Sequence, residues 1–173
     1  VIADEQKPLG LGGILGGSSS ACDMTTTNVL LESALFIPSN IANTGRKLFI
    51  DSDARYRFER GVDPNSLNFG LDRAASLIQE ICGGEISETQ ICGTVIKSEQ
   101  DISFDLVKNT NRLGVEIDQS EIEQLLKKLG IKIISKKDNL TCTIPSWRQD
   151  IHGEADLSEE VIRLKGFDSI PVL

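Results

Sequence analysis

Histidine is nearly absent from this 173-residue chain; the single one is His152. An imidazole-built zinc site is thereby excluded, and the four cysteines (Cys22, Cys82, Cys92, Cys142) contain no C-x-x-C pair to replace it. The same scarcity leaves residues 1–96 without a nucleophile–base pair. Cys82 and Cys92 each adjoin an Ile, so the thiols are expected to be free and buried, in a reducing compartment. No apolar run approaches the roughly 20 residues that cross a bilayer, so no membrane contact is expected. Val1–Gly10 lacks the basic start and apolar core of a secretory signal. Positive charge is short as well: 18 Lys and Arg stand against 26 Asp and Glu, a net charge of −8. That balance opposes broad non-specific nucleic-acid binding, which needs a basic face. An initiating Met is also lacking; the chain opens on what reads as mid-domain sequence, and a segment of a longer protein is expected. There is no internal repeat, and no low-complexity tract beyond one glycine-rich stretch.

What is present divides near residue 97. In the first part, Val29–Ile37 (VLLESALFI) reads as a buried strand interrupted by Glu32 and ended by Pro38. Ile41–Leu48 reads as a short helix. Asp63-Pro64 supplies a helix start, with Leu67, Leu71, Ala74, Leu77, Ile78 and Ile81 at helical spacing behind it and Gly83-Gly84 as a left-handed stop. Thr94–Ile96 reads as a closing strand. In the second part, Ile102–Leu106 opens as a strand. Asp118 and Glu121 form a D-x-x-E box before the stripe Ile122, Leu125, Leu126, Leu129, and Gly130 ends that helix. Ile131–Ser135 and Leu140–Ile144 flank the polar turn KKDN as a hairpin. Asp156 with Glu159 caps a last helix carrying Leu157, Val161 and Leu164. The fold class expected is α+β, with a small winged-helix-like helical module and hairpin at its C-terminal end.

Four stretches carry candidate chemistry. GLGGILGGSSS (10–20) meets neither phosphate-binding pattern: G-x-G-x-x-G fails at Leu15, and no Gly-Lys-Ser/Thr follows. A tight turn or close strand packing remains, as does a wall against which a small ligand lies. Glu32 is either a solvent-facing strand residue or a pocket carboxylate accepting a ligand hydroxyl, since burial without a partner is costly. DSDARYRFERGVDP (51–64) is an ion-paired loop or an anion site. Residues 46–60 form the most basic window, with Arg46, Lys47, Arg55, Arg57 and Arg60. In DIHGEADLSEE (150–160), Asp156, Glu159 and Glu160 share a helix face with Asp150 upstream. The acids suit a helix N-terminus, or a hard cation such as Mg²⁺.

Taken together, LGLGGILGG, NVLLESALF, SDARYRFERGVDP and PSWRQDIHGEADLSEEVIRLKGFDSIP resemble the bacterial phenylalanine–tRNA ligase beta subunits, in order and spacing, over nearly the whole chain. The resemblance implies that residues 1–96 form the C-terminal half of a mixed α/β tRNA-editing domain. Residues 97–173 are then the winged-helix-like module that follows it. It also implies a cytoplasmic α2β2 heterotetramer in which ATP is used by the holoenzyme and not by this segment. The partners implied are the alpha subunit and tRNA(Phe). Glu32 matches the carboxylate that accepts the hydroxyl of a misattached tyrosine. Gly16 matches the pocket wall, and Ser52 and Ala54 match its small lining residues. Where the family usually has His-Thr-Asp, this chain has Asp51-Ser52-Asp53, keeping the hydroxyl and losing a methyl. Asp150, Asp156, Glu159 and Glu160 match a Mg²⁺ site at the alpha-subunit contact. The remaining pocket residues of the family fall outside this chain, so the isolated segment is expected to be inactive. The alternative is a non-catalytic nucleic-acid-binding or assembly module.

Overall fold

The computed structural model describes residues 1–94 and 99–170. It divides into two compact units, Val1–Ile96 and Lys97–Leu173. The class is mixed α+β: two three-stranded antiparallel sheets and six α-helices among the described residues.

The first unit begins with a meander, β1 (Ile2–Ala3), β2 (Pro8–Leu11) and β3 (Leu15–Gly16). Leu11 pairs with Leu15 across the loop 12–14, where Gly13 takes φ +67. A left-handed glycine in a three-residue loop matches the twist of the flanking strands. Helix α1 (Pro38–Leu48) follows, then α2 (Asp53–Phe58) and α3 (Ser66–Cys82). Ile14 and Ile41 are the buried hydrophobic side chains of this unit among the described residues.

Several sequence expectations are corrected here. Val29–Ile37 forms no strand: no neighbouring strand offers it a ladder among the described residues, and Val29, Leu30 and Ile37 are exposed. A strand pattern alone does not supply the partner that makes a strand. Pro38 starts a helix instead of ending a strand, its ring pre-setting φ at the first helical position. Helix α3 starts at Ser66, two residues beyond Pro64, because the Asp63 carboxylate accepts from the Asn65 N–H and closes a local turn. Its apolar stripe is real but only half-buried, and Ile78 and Ile81 are exposed. Cys22, Cys82 and Cys92 are exposed, against the expectation of buried thiols, and Cys142 is the buried one. The expected strand at 94–96 lies largely outside the described residues.

The second unit holds the larger core. The sheet runs β4 (Gln100–Asp105), β6 (Asn139–Ile144), β5 (Lys132–Lys136), with β6 central. Leu140, Cys142 and Ile144 alternate along β6 onto one face, beside Ile102 and Phe104 of β4. Against that face pack Ile122, Leu125 and Leu126 of α5 (Gln119–Lys128) and Leu157 and Val161 of α6 (Glu154–Lys165). Each such side chain contributes roughly 1.5–3 kcal/mol when fully buried. Between β4 and α5 lies α4 (Leu106–Leu113), a helix the apolar pattern does not announce. Its signal is at the ends: Asp105 caps it by accepting from the Lys108 N–H, and Gly114 closes it at φ +66. Asp118 is the N-cap of α5 as expected, but makes no side-chain cap bond; Glu121 turns instead to Lys165 of α6. The N-cap of α6 is Gly153, not Asp156. Asp156 occupies the third helical position and accepts from the Gly153 N–H at 2.9 Å.

Candidate functional site

The glycines of residues 10–17 serve different purposes. A Cβ on Gly12 would lie 2.8 Å from the Phe36 ring, and one on Gly13 2.7 Å from it. The loop is therefore bare so that Phe36 can lie against it, and Phe36 in turn meets Phe58 edge-on at 5.1 Å. On Gly17 a Cβ would strike the Leu9 carbonyl oxygen at 2.4 Å. Gly16 differs from all of these. It has no positive φ, and nothing lies within 4 Å of the position its Cβ would take. Neither conformation nor packing among the described residues demands a glycine there.

Ser52 is tied directly to this hairpin. Its hydroxyl donates to the Ile14 carbonyl at 2.6 Å and accepts from the Arg55 N–H at 3.1 Å, so it caps α2 and pins the hairpin loop at once. Ala54, half-buried, sits in the first turn of α2. Glu32 is exposed on the unpaired stretch before α1, and the next residue anchors that stretch: the Ser33 hydroxyl donates to the Leu67 carbonyl at 2.9 Å. The structure thus joins Ser52 to the glycine hairpin, with Ala54 in the helix that Ser52 caps, and leaves Glu32 exposed on a separate stretch that Ser33 ties to Leu67 and Phe36 packs against the hairpin.

Within the basic window, Arg55 and Arg60 act as braces. Arg55 pairs with Glu59 at 3.0 Å and donates to the Ile50 carbonyl at 2.7 Å. Gly45 makes way for it, since a Cβ there would come within 2.3 Å of Arg55 Cδ. Arg60 lies 3.7 Å from the Tyr56 ring centre and pairs with Glu59. A groove of about 510 Å³ opens between the hairpin and α1, lined by Leu11, Gly12, Ile14, Phe36, Ile41 and Thr44 among others. It is mainly apolar, and none of Gly16, Glu32, Ser52 and Ala54 lines it.

In the second unit the acids at 150–160 are separately engaged. Asp150 faces Arg148 through both oxygens, and Glu160 faces both Arg148 and Arg163. Arg148 holds the Asp150 carboxyl below its usual range. At Glu160 burial acts to raise the value, and the two guanidiniums outweigh it, so the net shift is downward. Asp156 is lowered by accepting from the His152 and Gly153 N–H groups. Glu159 is exposed. No group of three or more His, Cys, Asp or Glu is placed to hold a metal ion among the described residues. Arg148 is the residue that sequence reasoning passed over; its signal was an arginine two positions before Asp150.

A second polar cluster joins α4 to α6. Fully buried Asn109 donates to Glu154 at 3.1 Å and to the Asp105 carbonyl at 2.7 Å, and accepts from Ser158 at 2.7 Å and from Arg112 at 3.0 Å. Lys108 pairs with Glu154, which is thereby held below the usual glutamate range. Every polar atom of Asn109 has a partner, the condition under which a buried polar network fixes one arrangement.

Comparison with known proteins places these units. Residues 1–83 match the B3/4 domain, and residues 102–167 match the tRNA synthetase B5 domain. The chain is 45% identical over 172 residues to the phenylalanine–tRNA ligase beta subunit of Bradyrhizobium diazoefficiens. It is 48% identical over 175 residues to that of Paramagnetospirillum magneticum, and 46% over 173 residues to that of Rhodospirillum rubrum. Each alignment covers 99% of this chain and 21–22% of the relative, so the chain spans about a fifth of the length of these relatives.

Proposed function

Because the chain belongs to the phenylalanine–tRNA ligase beta-subunit family, we propose that its first unit contributes to a pocket that hydrolyses tyrosine misattached to tRNA(Phe). Residues 1–96 are on this reading the C-terminal half of the editing domain, and residues 97–173 the winged-helix-like module beside it. The whole enzyme, assembled with an alpha subunit, attaches phenylalanine to its tRNA with ATP.

The chemistry of selection follows from one hydroxyl. An apolar synthetic pocket rejects an added hydroxyl only weakly, so a second site that requires it is needed. Glu32, exposed in this chain, supplies the requirement once a bound aminoacyl end withdraws it from water: tyrosine then satisfies the carboxylate, and phenylalanine leaves it unpaired at a cost of about 1–3 kcal/mol. Ser52 spends its hydroxyl on the α2 cap and the Ile14 carbonyl, so its part is to hold the hairpin that carries Gly16. Ala54 keeps the first turn of α2 small. Residues 1–94 present no nucleophile–base pair, and a positioned water, aided by the terminal ribose hydroxyl of the tRNA, carries out the hydrolysis.

The observation that carries this reading is Gly16: a glycine whose absent side chain nothing among the described residues requires, facing open space. A bound aminoacyl group is what would need that space. Gly16→Trp in the full-length assembled enzyme is expected to reduce Tyr-tRNA(Phe) hydrolysis by about a hundredfold or more, the loss that misplacing a reacting group by about 1 Å can cause, while leaving phenylalanine attachment intact. Hydrolysis at the wild-type rate would remove the pocket assignment.

A Mg²⁺ ion at the alpha-subunit contact would take its donors from Asp150, Asp156, Glu159 and Glu160. Their oxygens are of the right type, but the arrangement does not fit the ion, because among the described residues no three such groups are placed to hold one, and Asp150 and Glu160 are paired with Arg148 and Arg163 instead.

A further inference from the structure

An unbroken run of hydrogen bonds leads from α1 to the glycine hairpin. The Gly45 carbonyl accepts from the Ile50 N–H at 3.0 Å. The Ile50 carbonyl accepts from Arg55 Nη1 at 2.7 Å, and the Arg55 backbone N–H donates to Ser52 Oγ at 3.1 Å. Ser52 Oγ in turn donates to the Ile14 carbonyl at 2.6 Å. Ile14 is buried, and its own N–H closes the hairpin loop on the Leu11 carbonyl at 2.9 Å. Gly16 stands two residues further along, within about 7 Å by chain length. Arg55 holds this run at two points, through its guanidinium and through its backbone. Its Nε also pairs with Glu59, and the two side chains are 16% and 20% exposed, so these charge-assisted bonds are partly withdrawn from water. Gly45 is buried inside α1 and has no positive φ, so the backbone does not call for glycine there. Glycine inside a helix is destabilising relative to alanine. The neighbour that requires it is Arg55, whose Cδ and Nε would lie 2.3 and 2.4 Å from a Cβ.

We infer that Arg55 is a positioning residue of the proposed editing pocket: it orders residues 49–52 so that the Ser52 hydroxyl meets Ile14, and thereby fixes where the hairpin presents Gly16. The inference rests on the editing reading for the chemistry that this placement serves. The physical cause lies in the link between α1 and α2. Phe49 sits there at φ 55, a left-handed conformation that a bulky side chain adopts against strain. Such a residue persists only where its surroundings over-determine it, and the Arg55 bond to Ile50 acts on the very next residue. Without the guanidinium, Ile50 is released, the link relaxes, and Ser52 loses its fixed distance to Ile14. Glu59 is not orphaned by that loss, because Arg60 also pairs with it at 3.1 Å. The effect of removing Arg55 therefore falls on the link and the hairpin.

The test uses the full-length beta subunit assembled with its alpha subunit, and follows both amide exchange and Tyr-tRNA(Phe) hydrolysis. Arg55→Met keeps the bulk of the stem and removes the donors. It is expected to speed exchange of the Ile14 and Gly17 amides by about tenfold or more, with the amides of β6 unchanged. Hydrolysis is expected to lose about tenfold in kcat at a nearly constant KM, the mark of misplacement and not of weaker docking. Ser52→Ala should do the same, and Ser52→Thr, which keeps the hydroxyl, should stay near wild type. The double variant Arg55→Met, Ser52→Ala should be no worse than Ser52→Ala alone, since both changes break one link. Losses that multiply would place the action of Arg55 elsewhere and overturn the inference. Should Arg55→Met fail to fold, Gly45→Ala displaces the same guanidinium and is expected to give the same exchange and kcat losses; wild-type values in the variant that folds would overturn the inference. Unchanged hydrolysis in Arg55→Met, beside a Gly16→Trp variant that does block it, would remove the role of Arg55 and leave the editing reading standing. Hydrolysis untouched by Gly16→Trp would remove the pocket reading itself, and the positioning role with it.

Discussion

At the scale of single residues, carboxylates in this chain are governed by the donors around them. Glu123 on α5 accepts from Gln119, Ser135 and Lys127, and these hydrogen bonds bring it from 4.5 to about 2. A group whose folded value is depressed adds stability above its unfolded value and loses it as pH falls through the folded one. Acid unfolding is therefore expected to draw on Glu123 between pH 4.5 and about 2, and Glu123→Gln should flatten the stability–pH curve in that window. An unchanged slope would show that the three donors do not hold the charge in solution. Glu32 is the same type of side chain, exposed on a stretch that joins no sheet among the described residues. The residue types of both were legible in the sequence. Their surroundings were not, because Ser135 reaches Glu123 from a different element.

Elements formed where both the local signal and a partner were at hand. The hairpin β5–β6 was legible from alternation and its polar turn, and α5 from its apolar stripe, since each is stabilised by contacts close in sequence. Helix α4 was hidden because its evidence lay in its caps, Asp105 and Gly114, and not in an apolar stripe. The strand expected at 29–37 failed for the opposite reason: the apolar pattern was present, and no ladder partner was among the described residues. Amide exchange in this chain should separate the two cases. Amides of residues 27–37 are expected to exchange at near-unstructured rates, and those of Leu140 and Cys142 in β6 to be protected by about a thousandfold or more, as central strands are. Protection across 27–37 equal to that of β6 would mean that the segment is paired.

The two units, taken as wholes, are unequal. The second buries a continuous cluster from Ile102 to Val161 around the sheet, whereas Ile14 and Ile41 are the buried hydrophobic side chains described in the first. Stability scales with the apolar area withdrawn from water, so the units are expected to unfold separately, the first at lower denaturant. The sole tryptophan, Trp147, reports on the second unit alone. Far-ultraviolet circular dichroism should therefore fall before Trp147 fluorescence changes. A single coincident transition would show that the units fold as one.

By itself the sequence determined the α+β class, the hairpin, α5 and the family, because local periodicity and dense motifs such as RFERGVDP survive without knowledge of the fold. It also determined which residue types stand at positions 16, 32, 52 and 54. The tertiary structure decided what those residues have left to offer. It showed that Gly12 and Gly13 are bare for the sake of Phe36 and Gly16 is not. It showed that the Ser52 hydroxyl is already engaged, and that Arg148 sits on the carboxylates expected to face a metal. A hydrogen bond or an ion pair is fixed by distance and direction in space, and residues 12 or 38 positions apart in the chain carry no local mark of meeting.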